Sequence, residues 1–161
     1  MKILSIDNKK ENAFLRKKLP PLDFSRVSRK ELRELIAKMR VAMKGAIGIG
    51  LSANQIGRTE RLFVAQIAEK FYVVLNPKIV KSSGNKIEME EGCLSVPGKY
   101  GAVPRAERVT LEGYNLEGKK IKIKARGLLA RVFQHEVDHL DGKVFIDRTK
   151  KVFEVQTDRH G

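Results

Sequence analysis

Several residue types are scarce in this sequence: its 161 residues include no tryptophan, three histidines and one cysteine, Cys93. A single cysteine cannot form a disulfide within the chain, so a reducing compartment is the expected setting. No apolar run approaches the roughly 18 residues that span a membrane, and residues 1–7 are too short and too soon charged for a signal peptide. We therefore expect a cytoplasmic protein without a membrane segment.

The charge of the chain is unbalanced, with 33 Lys and Arg against 19 Asp and Glu and a formal net charge of +14 at pH 7. This charge attracts polyanions such as RNA, although a generally basic, solvated surface explains it equally well. A hydrophobic share of 42% and a charged share of 32% are typical of globular proteins. The length suits one domain over residues 1–161, which we expect to be monomeric.

One amphipathic helix is predicted near the N-terminus, after an irregular start over residues 1–27 in which Pro20-Pro21 interrupts any helix. Ser28 and Glu31 have the spacing of a capping box, and apolar residues then recur at helical spacing up to Gly45. Residues 48–57 are small and glycine-rich without either periodicity. They lack the G-K-[ST] ending of a phosphate loop, so a plain loop is expected.

Strands are predicted wherever β-branched and aromatic residues concentrate between turn signals. The first two are expected to pair as a hairpin, with the second ending at Asn76-Pro77, and the last two flank a four-residue loop that ends at Gly118. In the last strand Ile121 and Ile123 alternate with lysines, which gives one apolar face and one basic face that is expected to be solvated. The predicted strands cover residues 61–67, 71–75, 86–90, 107–114 and 119–125.

Two of the three histidines lie close together in residues 134–142, in the pattern H-E-x-x-H. Residues four apart project from the same face of a helix, so His135 and His139 can bind one ion while Glu136 approaches a water on that ion. The helix is predicted from about residue 127 to 140 and is apolar on two sides, which indicates a central position. We therefore predict an α+β fold, with short antiparallel sheets packed around a central C-terminal helix that carries the HExxH motif.

Two imidazoles leave the metal site one ligand short, because an open catalytic site uses three protein ligands and a water. An extended metallopeptidase pattern would place a third histidine at position 145, which is Phe145 here. Cys93 is the only thiol, and thiolate is a good ligand for zinc or ferrous iron. The chemistry favours Cys93 and leaves a carboxylate such as Glu154 open.

Three segments, taken in order, resemble the motifs of peptide deformylase. Residues 48–55 fit G-x-G-[LIV]-[AS]-A-x-Q, residues 91–95 fit E-G-C-L-S and residues 134–139 fit Q-H-E-x-D-H. The resemblance covers nearly the whole chain from about Leu15. It implies a metal-dependent hydrolase that removes the formyl group from the N-terminal formyl-methionine of newly synthesised polypeptides and releases formate. Formyl-methionyl nascent peptides would be its partners, and its positive charge would allow weak contact with ribosomal RNA.

The same resemblance implies that Cys93, His135 and His139 bind one divalent ion and that Glu136 acts as the acid and base. Two imidazoles and a thiolate suit zinc, nickel, cobalt or ferrous iron. Soft-ligand affinity alone favours zinc, whereas the family implies ferrous iron.

The remaining site residues also follow from the resemblance. The Gln55 side-chain amide and the Leu94 backbone N–H are implied as donors to the oxyanion. The substrate backbone is expected to pair with Ile49 and Gly50, with Gly92 opposite, as an added strand. The apolar pocket for the methionine side chain falls at Ile49, Met89, Leu128 and Val132.

Some positions depart from the family pattern. Tyr100 stands where many relatives carry Arg, and Arg131 stands at an often apolar pocket position, where it is expected to narrow or recharge the rim. Asp138 is expected either to orient a ligand imidazole or to pair with Arg105, a solvated carboxylate being the alternative. Because the chain ends soon after residues 150–151, ribosome docking through a long C-terminal helix is not expected.

Two other functions fit parts of the pattern. A metallopeptidase that cuts internal peptide bonds would share the HExxH motif and need no formyl group. A basic RNA-binding module with a structural metal would need four protein ligands and would bind RNA in a salt-sensitive way.

Overall fold

The computed structural model describes residues 1–155, in which three α-helices and eight strands are arranged in the predicted α+β class. The helices are α1 (Lys9–Leu15), α2 (Arg29–Gly45) and α3 (Gly127–Leu140), and short 3-10 turns lie at Ala53–Ile56 and Phe145–Asp147. The strands are β1 (Gly50–Ser52), β2 (Leu62–Ile67), β3 (Lys70–Ser82), β4 (Lys86–Cys93), β5 (Val96–Ala106), β6 (Arg108–Tyr114), β7 (Lys120–Arg126) and β8 (Val152–Glu154).

The strands form two antiparallel sheets. The larger has the order β1-β2-β3-β6-β7 and the smaller has the order β4-β5-β8. Strands β1 and β4 each lie at an edge of their sheet, so one side of each strand is free of backbone pairing. The unpaired backbone N–H and C=O groups of these two edges can therefore bind an extended segment that lies between the sheets.

Helix α3 packs on one face of the larger sheet, as its central position in the prediction requires. Phe63 and Ala65 of β2 join Phe133, Val137 and Leu140 of the helix in one buried cluster. The helix has the bounds that the sequence predicts, and Gly142 follows it with a φ of 80°, a conformation that favours glycine. Both histidines are thereby held on a helix that the core fixes in place.

Helix α2 covers the opposite face of the same sheet. Its apolar residues, Met39 and Met43 among them, pack against Leu62 and Val64, which alternate along β2 with the residues facing α3. The predicted capping box is present, since the Ser28 hydroxyl accepts from the Glu31 N–H at 3.1 Å and the Glu31 carboxylate accepts from the Ser28 N–H at 2.9 Å. Strands β1 to β3 are therefore covered by a helix on both faces. The outer face of β6 and β7, which points away from α3, is not covered by α2.

Two segments expected to be irregular contain regular structure. In residues 1–27, helix α1 begins after Asn8, whose side-chain oxygen accepts from the N–H groups of Lys10 and Glu11. Such a cap satisfies N–H groups that otherwise lack a partner, so the expectation of an irregular start was wrong there. The glycine-rich segment supplies β1 and the first 3-10 turn, because pairing with β2 orders it.

Strand β3 continues beyond its expected end at Asn76-Pro77. The register shifts between Leu75 and Lys78, so the proline, which has no N–H, is passed at a β-bulge. The Asn76 side chain bonds both the N–H and the carbonyl of Leu22, which anchors the preceding loop. The two predicted hairpins, β2 with β3 and β6 with β7, are confirmed, and β5 was missed. None of the helices in residues 1–155 combines the length and apolar composition needed to cross a bilayer.

Candidate active site

Three side chains of the types that bind metal ions converge where helix α3 meets the end of strand β4. The His139 Nε2 atom lies 3.2 Å from the Cys93 Sγ atom and 3.2 Å from the His135 Nε2 atom. All three ligand atoms lie within 4.8 Å of one another. Atoms bound tetrahedrally at about 2.1–2.3 Å from one ion are separated by roughly 3.4–3.7 Å, so this spacing suits a single ion.

The orientation of the two imidazoles also suits a metal. The His135 Nδ1 atom is 2.8 Å from the Glu91 Oε1 atom, so Nδ1 carries a hydrogen and Nε2 faces the cluster. Burial lowers the pKa of His135, but hydrogen bonds to Cys93 and Glu91 outweigh it and raise the pKa well above its ordinary value, so a metal ion at Nε2 would replace a proton. Burial lowers the pKa of His139 well below its ordinary value, and nearby His135 lowers it further, which keeps this ring neutral. Ligand atoms that converge in this way repel one another unless a cation, either a proton or a metal ion, lies between them. The donor set therefore fits a divalent ion.

Glu154, the alternative third ligand, and position 145, where an extended metallopeptidase pattern would place a histidine, do not join the two imidazoles. Glu154 is exposed on β8, where its carboxylate is 3.9 Å from the Lys99 ammonium. Phe145 is buried in a separate apolar cluster with Val96 and Val103. Among the residues that the structure describes, Cys93 is the side chain brought to the histidines.

Glu136 lies beside this cluster with its side chain buried. Its Oε2 atom accepts a hydrogen bond of 2.6 Å from the Ser52 hydroxyl, which also lies 3.0 Å from the Glu136 carbonyl oxygen. Burial raises the pKa of Glu136 above its ordinary value, although His135 and the Ser52 hydrogen bond oppose the rise. A carboxylate with a raised pKa is a better proton acceptor at neutral pH. Ser52 was not singled out from the sequence, and its signal was the [AS] position of the first motif.

The two predicted oxyanion donors are held close to the thiol. The Gln55 Oε1 atom accepts from the Ser52 N–H at 2.9 Å, so the amide nitrogen points the other way. There Nε2 donates to the Ser95 hydroxyl at 3.0 Å and lies 3.8 Å from the Cys93 Sγ atom. Leu94 follows the thiol in the turn between β4 and β5, and its N–H has no hydrogen-bond partner within residues 1–155.

Glu91 is a second site residue that the sequence interpretation missed. Its carboxylate accepts from Arg105 at 2.9 and 3.0 Å, from the Arg131 Nη1 atom at 2.7 Å and from the His135 ring. Burial by itself would raise the pKa of Glu91, but the hydrogen bonds from His135 and Arg105 outweigh it and hold the pKa at about 2. Glu91 thus stays ionised and fixes the orientation of a ligand imidazole. The first letter of the second motif was the available signal.

Arg131, which departs from the family pattern, and Asp138 belong to the same buried network. Arg131 is buried, and besides Glu91 it donates to the Val103 carbonyl at 2.8 Å, so its charge is paired inside the protein. Asp138 pairs with Arg105 at 2.6 Å and with Arg148 at 2.7 Å. The expected Arg105 pairing is confirmed, while the imidazole is oriented by Glu91.

A cavity of about 490 Å³ opens next to the ligand cluster, between the free edges of β1 and β4. It is lined by five of the six residues expected to bind substrate, together with Cys93, His135, Glu136, Gln55, Leu94 and Arg131. Met89 is the exception: it lies on β4 with a side chain that is 47% exposed, outside the lining. The five lining residues are Ile49, Gly50, Gly92, Leu128 and Val132.

A thiol and two imidazoles that converge beside a buried carboxylate on an H-E-x-x-H helix define the class of protein, a metal-dependent hydrolase. The family model described as Polypeptide deformylase matches residues 1–154. The chain belongs to this family. Its activity is the removal of the formyl group from the N-terminal formyl-methionine of newly synthesised polypeptides.

Individual relatives agree with the family match. The chain is 46% identical over 124 residues to the peptide deformylase of Desulforudis audaxviator, covering 76% of this chain and 80% of that protein. It is 44% identical to the peptide deformylase of Halothermothrix orenii, with 87% and 90% covered. The crystal structure of a peptide deformylase from Legionella pneumophila is similar with a TM-score of 0.83 at 41% identity, over 92% of this chain and 85% of that one. The similarity therefore extends over the sheets and helices that build the site.

Proposed function

We propose that Cys93, His135 and His139 hold one divalent ion, physiologically ferrous iron, and that Glu136 moves the proton during hydrolysis of the formyl amide. The observation that supports this most directly is the convergence of three donor atoms within 4.8 Å beside a buried carboxylate. A bound ion would lower the pKa of a bound water toward neutrality and polarise the formyl oxygen. Zinc, nickel and cobalt also suit this donor set.

The proton is carried by the Glu136 carboxylate. The Ser52 hydroxyl holds its Oε2 atom, and its Oε1 atom lies against Gly50 on the wall of the cavity. Glu136 accepts a proton from the attacking water and later delivers it to the departing amine nitrogen. Formate and a free methionine N-terminus are the products.

The negative charge on the formyl oxygen needs donors at the moment of attack. The Gln55 amide is fixed by its bonds to Ser52 and Ser95, so no reorientation is needed when charge develops. The Leu94 N–H, with no partner within the described residues, supplies the second donor. Both groups flank Cys93 and therefore act on the same oxygen.

Substrate recognition combines two free strand edges with an apolar pocket. β1 contributes Gly50, next to Ile49, and β4 contributes Gly92, so an extended peptide between them pairs with backbone groups of both sheets. Such contacts accept any sequence. The methionine side chain is selected by Ile49, Leu128 and Val132, with Met89 just outside the lining.

Gly50→Ala is expected to lower kcat about tenfold or more, because a 1 Å displacement of a catalytic group has effects of this size. A Cβ atom at Gly50 would lie 2.5 Å from the Glu136 Oε1 atom and 3.1 Å from its Cδ atom. Formate release from formyl-Met-Ala-Ser measures the effect. Gly45→Ala is the matched control, since a Cβ there has nothing within 4 Å. Equal kcat values for the two variants would show that Glu136 does not need this close approach.

Protein stripped of metal by a chelator is expected to release no formate from formyl-Met-Ala-Ser until a divalent ion is restored. Ferrous iron is expected to restore more activity than zinc, and elemental analysis of protein purified without oxygen should find iron. Formate release by protein that elemental analysis finds free of metal would contradict the proposal. Cleavage of internal bonds in an unformylated peptide would instead support a metallopeptidase.

The cellular setting follows from the substrate and the charge. We propose a cytoplasmic monomer, one domain over residues 1–161, that makes weak electrostatic contact with ribosomal RNA. The net charge of +14 supports this contact, since the substrate chains emerge from an RNA-rich particle.

A further inference from the structure

The outer face of strands β6 and β7, together with the end of β3, forms a second groove. Its volume is about 720 Å³, and no carboxylate is found among its lining residues, all of which lie in the described part of the chain. It shares no residue with the catalytic cavity. Five cationic side chains line this basic groove: Lys81, Arg108, Lys122, Lys124 and Arg126.

The strand register brings four of these cations together on one face, and it places one pair of them directly opposite each other. Arg108 lies directly across from Arg126, and Thr110 lies between Lys81 on β3 and Lys124 on β7. Like charges opposite one another in a sheet are destabilising, so packing alone gives no reason for this arrangement. Unfavourable local arrangements of this kind, when nothing in the fold offsets them, are expected at functional sites.

Carboxylates do not neutralise the basic groove. None of its five cations forms an ion pair within residues 1–155. Glu112 lies directly across from Lys122 in the register, but its ion pair is with Lys120, at 3.4 Å. Exposed cations elsewhere do find partners, as Arg58 does with Glu60 and Lys151 with Glu88. The groove therefore keeps its full positive charge for a ligand.

We propose that the basic groove binds the phosphate backbone of RNA. Residues two apart on a strand are separated by about 6.7 Å and neighbouring strands by about 4.8 Å, so the face presents a regular lattice of cations to a regular line of phosphates. The choice of RNA among polyanions rests on the proposed function, because the substrate chains emerge from an RNA-rich particle. Since α3 packs on the opposite face of the sheet, RNA in the groove leaves the catalytic cavity open.

The test is the binding of fluorescently labelled oligouridylate, followed by anisotropy over a salt series. Lys122→Gln/Lys124→Gln removes two charges from the groove, and both side chains are exposed, so the fold is unaffected. Its affinity at low salt is expected to fall about tenfold or more, with the slope of log K against log salt reduced by about 1.4 for two lost phosphate contacts. Lys30→Gln/Lys38→Gln, on the exposed face of α2, removes the same charge and is the matched control.

The control is expected to keep the wild-type salt slope. Equal losses of RNA affinity in the two double variants would show that only the net charge matters, and would overturn the assignment of the groove. Absence of RNA binding by the wild type at low salt would also overturn it. Formate release should be the same in all three proteins. Formate release does not depend on RNA. It therefore tests the deformylase proposal separately from RNA binding in the groove.

Discussion

Glu136→Gln is expected to lower kcat for formate release by about a thousandfold, within the range that a positioned general acid and base contributes. The amide keeps the shape of the side chain and still accepts the hydrogen bond that Ser52 donates at 2.6 Å. It cannot take a proton from water, so only the proton transfer is removed. Because a neutral group replaces a buried carboxylate, the melting temperature should be unchanged or slightly raised.

Two further measurements make this result specific. Elemental analysis should find wild-type metal content, because the ligands Cys93, His135 and His139 are untouched. Ser52→Ala, which keeps the carboxylate and removes only its hydrogen bond, should cost about tenfold, since a positioning contact is worth less than the proton carrier itself. A Glu136→Gln protein with full metal content and near wild-type kcat would remove Glu136 from the mechanism.

The elements that sequence predicted best are those specified by local chemistry. The Ser28 and Glu31 pair caps α2 through contacts three residues apart, and apolar residues repeat at 3.6-residue spacing in both long helices. The spacing of His135 and His139 on one helix likewise follows from a single turn. Each of these predictions needed only neighbouring residues, and the structure confirms the helices and brings the two rings together.

The features that escaped prediction depend on distant partners. Strand β5 carries Pro97 and Pro104 and is a strand because β4 pairs with it along its length. Glu91 lies 44 residues before His135, and no local pattern shows that a carboxylate will meet a ring nitrogen from another element. Arg131 was expected to narrow or recharge the rim because it stands at an often apolar pocket position, and no local pattern shows that Glu91 pairs with it in the interior.

Glu91 is the subject of the second large prediction. Glu91→Ala should lower the free energy of unfolding by about 3–5 kcal/mol, as expected when one member of a buried ionic cluster is removed. Arg105 and Arg131 are buried, with side chains 4% and 7% exposed, and both would lose a charged partner. His135 would also lose the contact that orients its ring, which should weaken metal affinity about 10–100-fold. Urea denaturation and metal titration measure the two effects.

Glu88→Ala supplies the control from the same strand, because Glu88 is exposed and its pairing with Lys151 is worth at most about 1 kcal/mol. The pH dependence adds a second test. The pKa of Glu91 is lowered from its ordinary 4.5 to about 2, so its stabilisation is complete above pH 4.5 and is lost as the pH falls toward 2. The shift corresponds to about 3 kcal/mol, and the unfolding free energy of Glu91→Ala should therefore vary less across this window than that of the wild type. Equal pH profiles for wild type and variant would mean that the Glu91 carboxylate does not stabilise the ring that it touches.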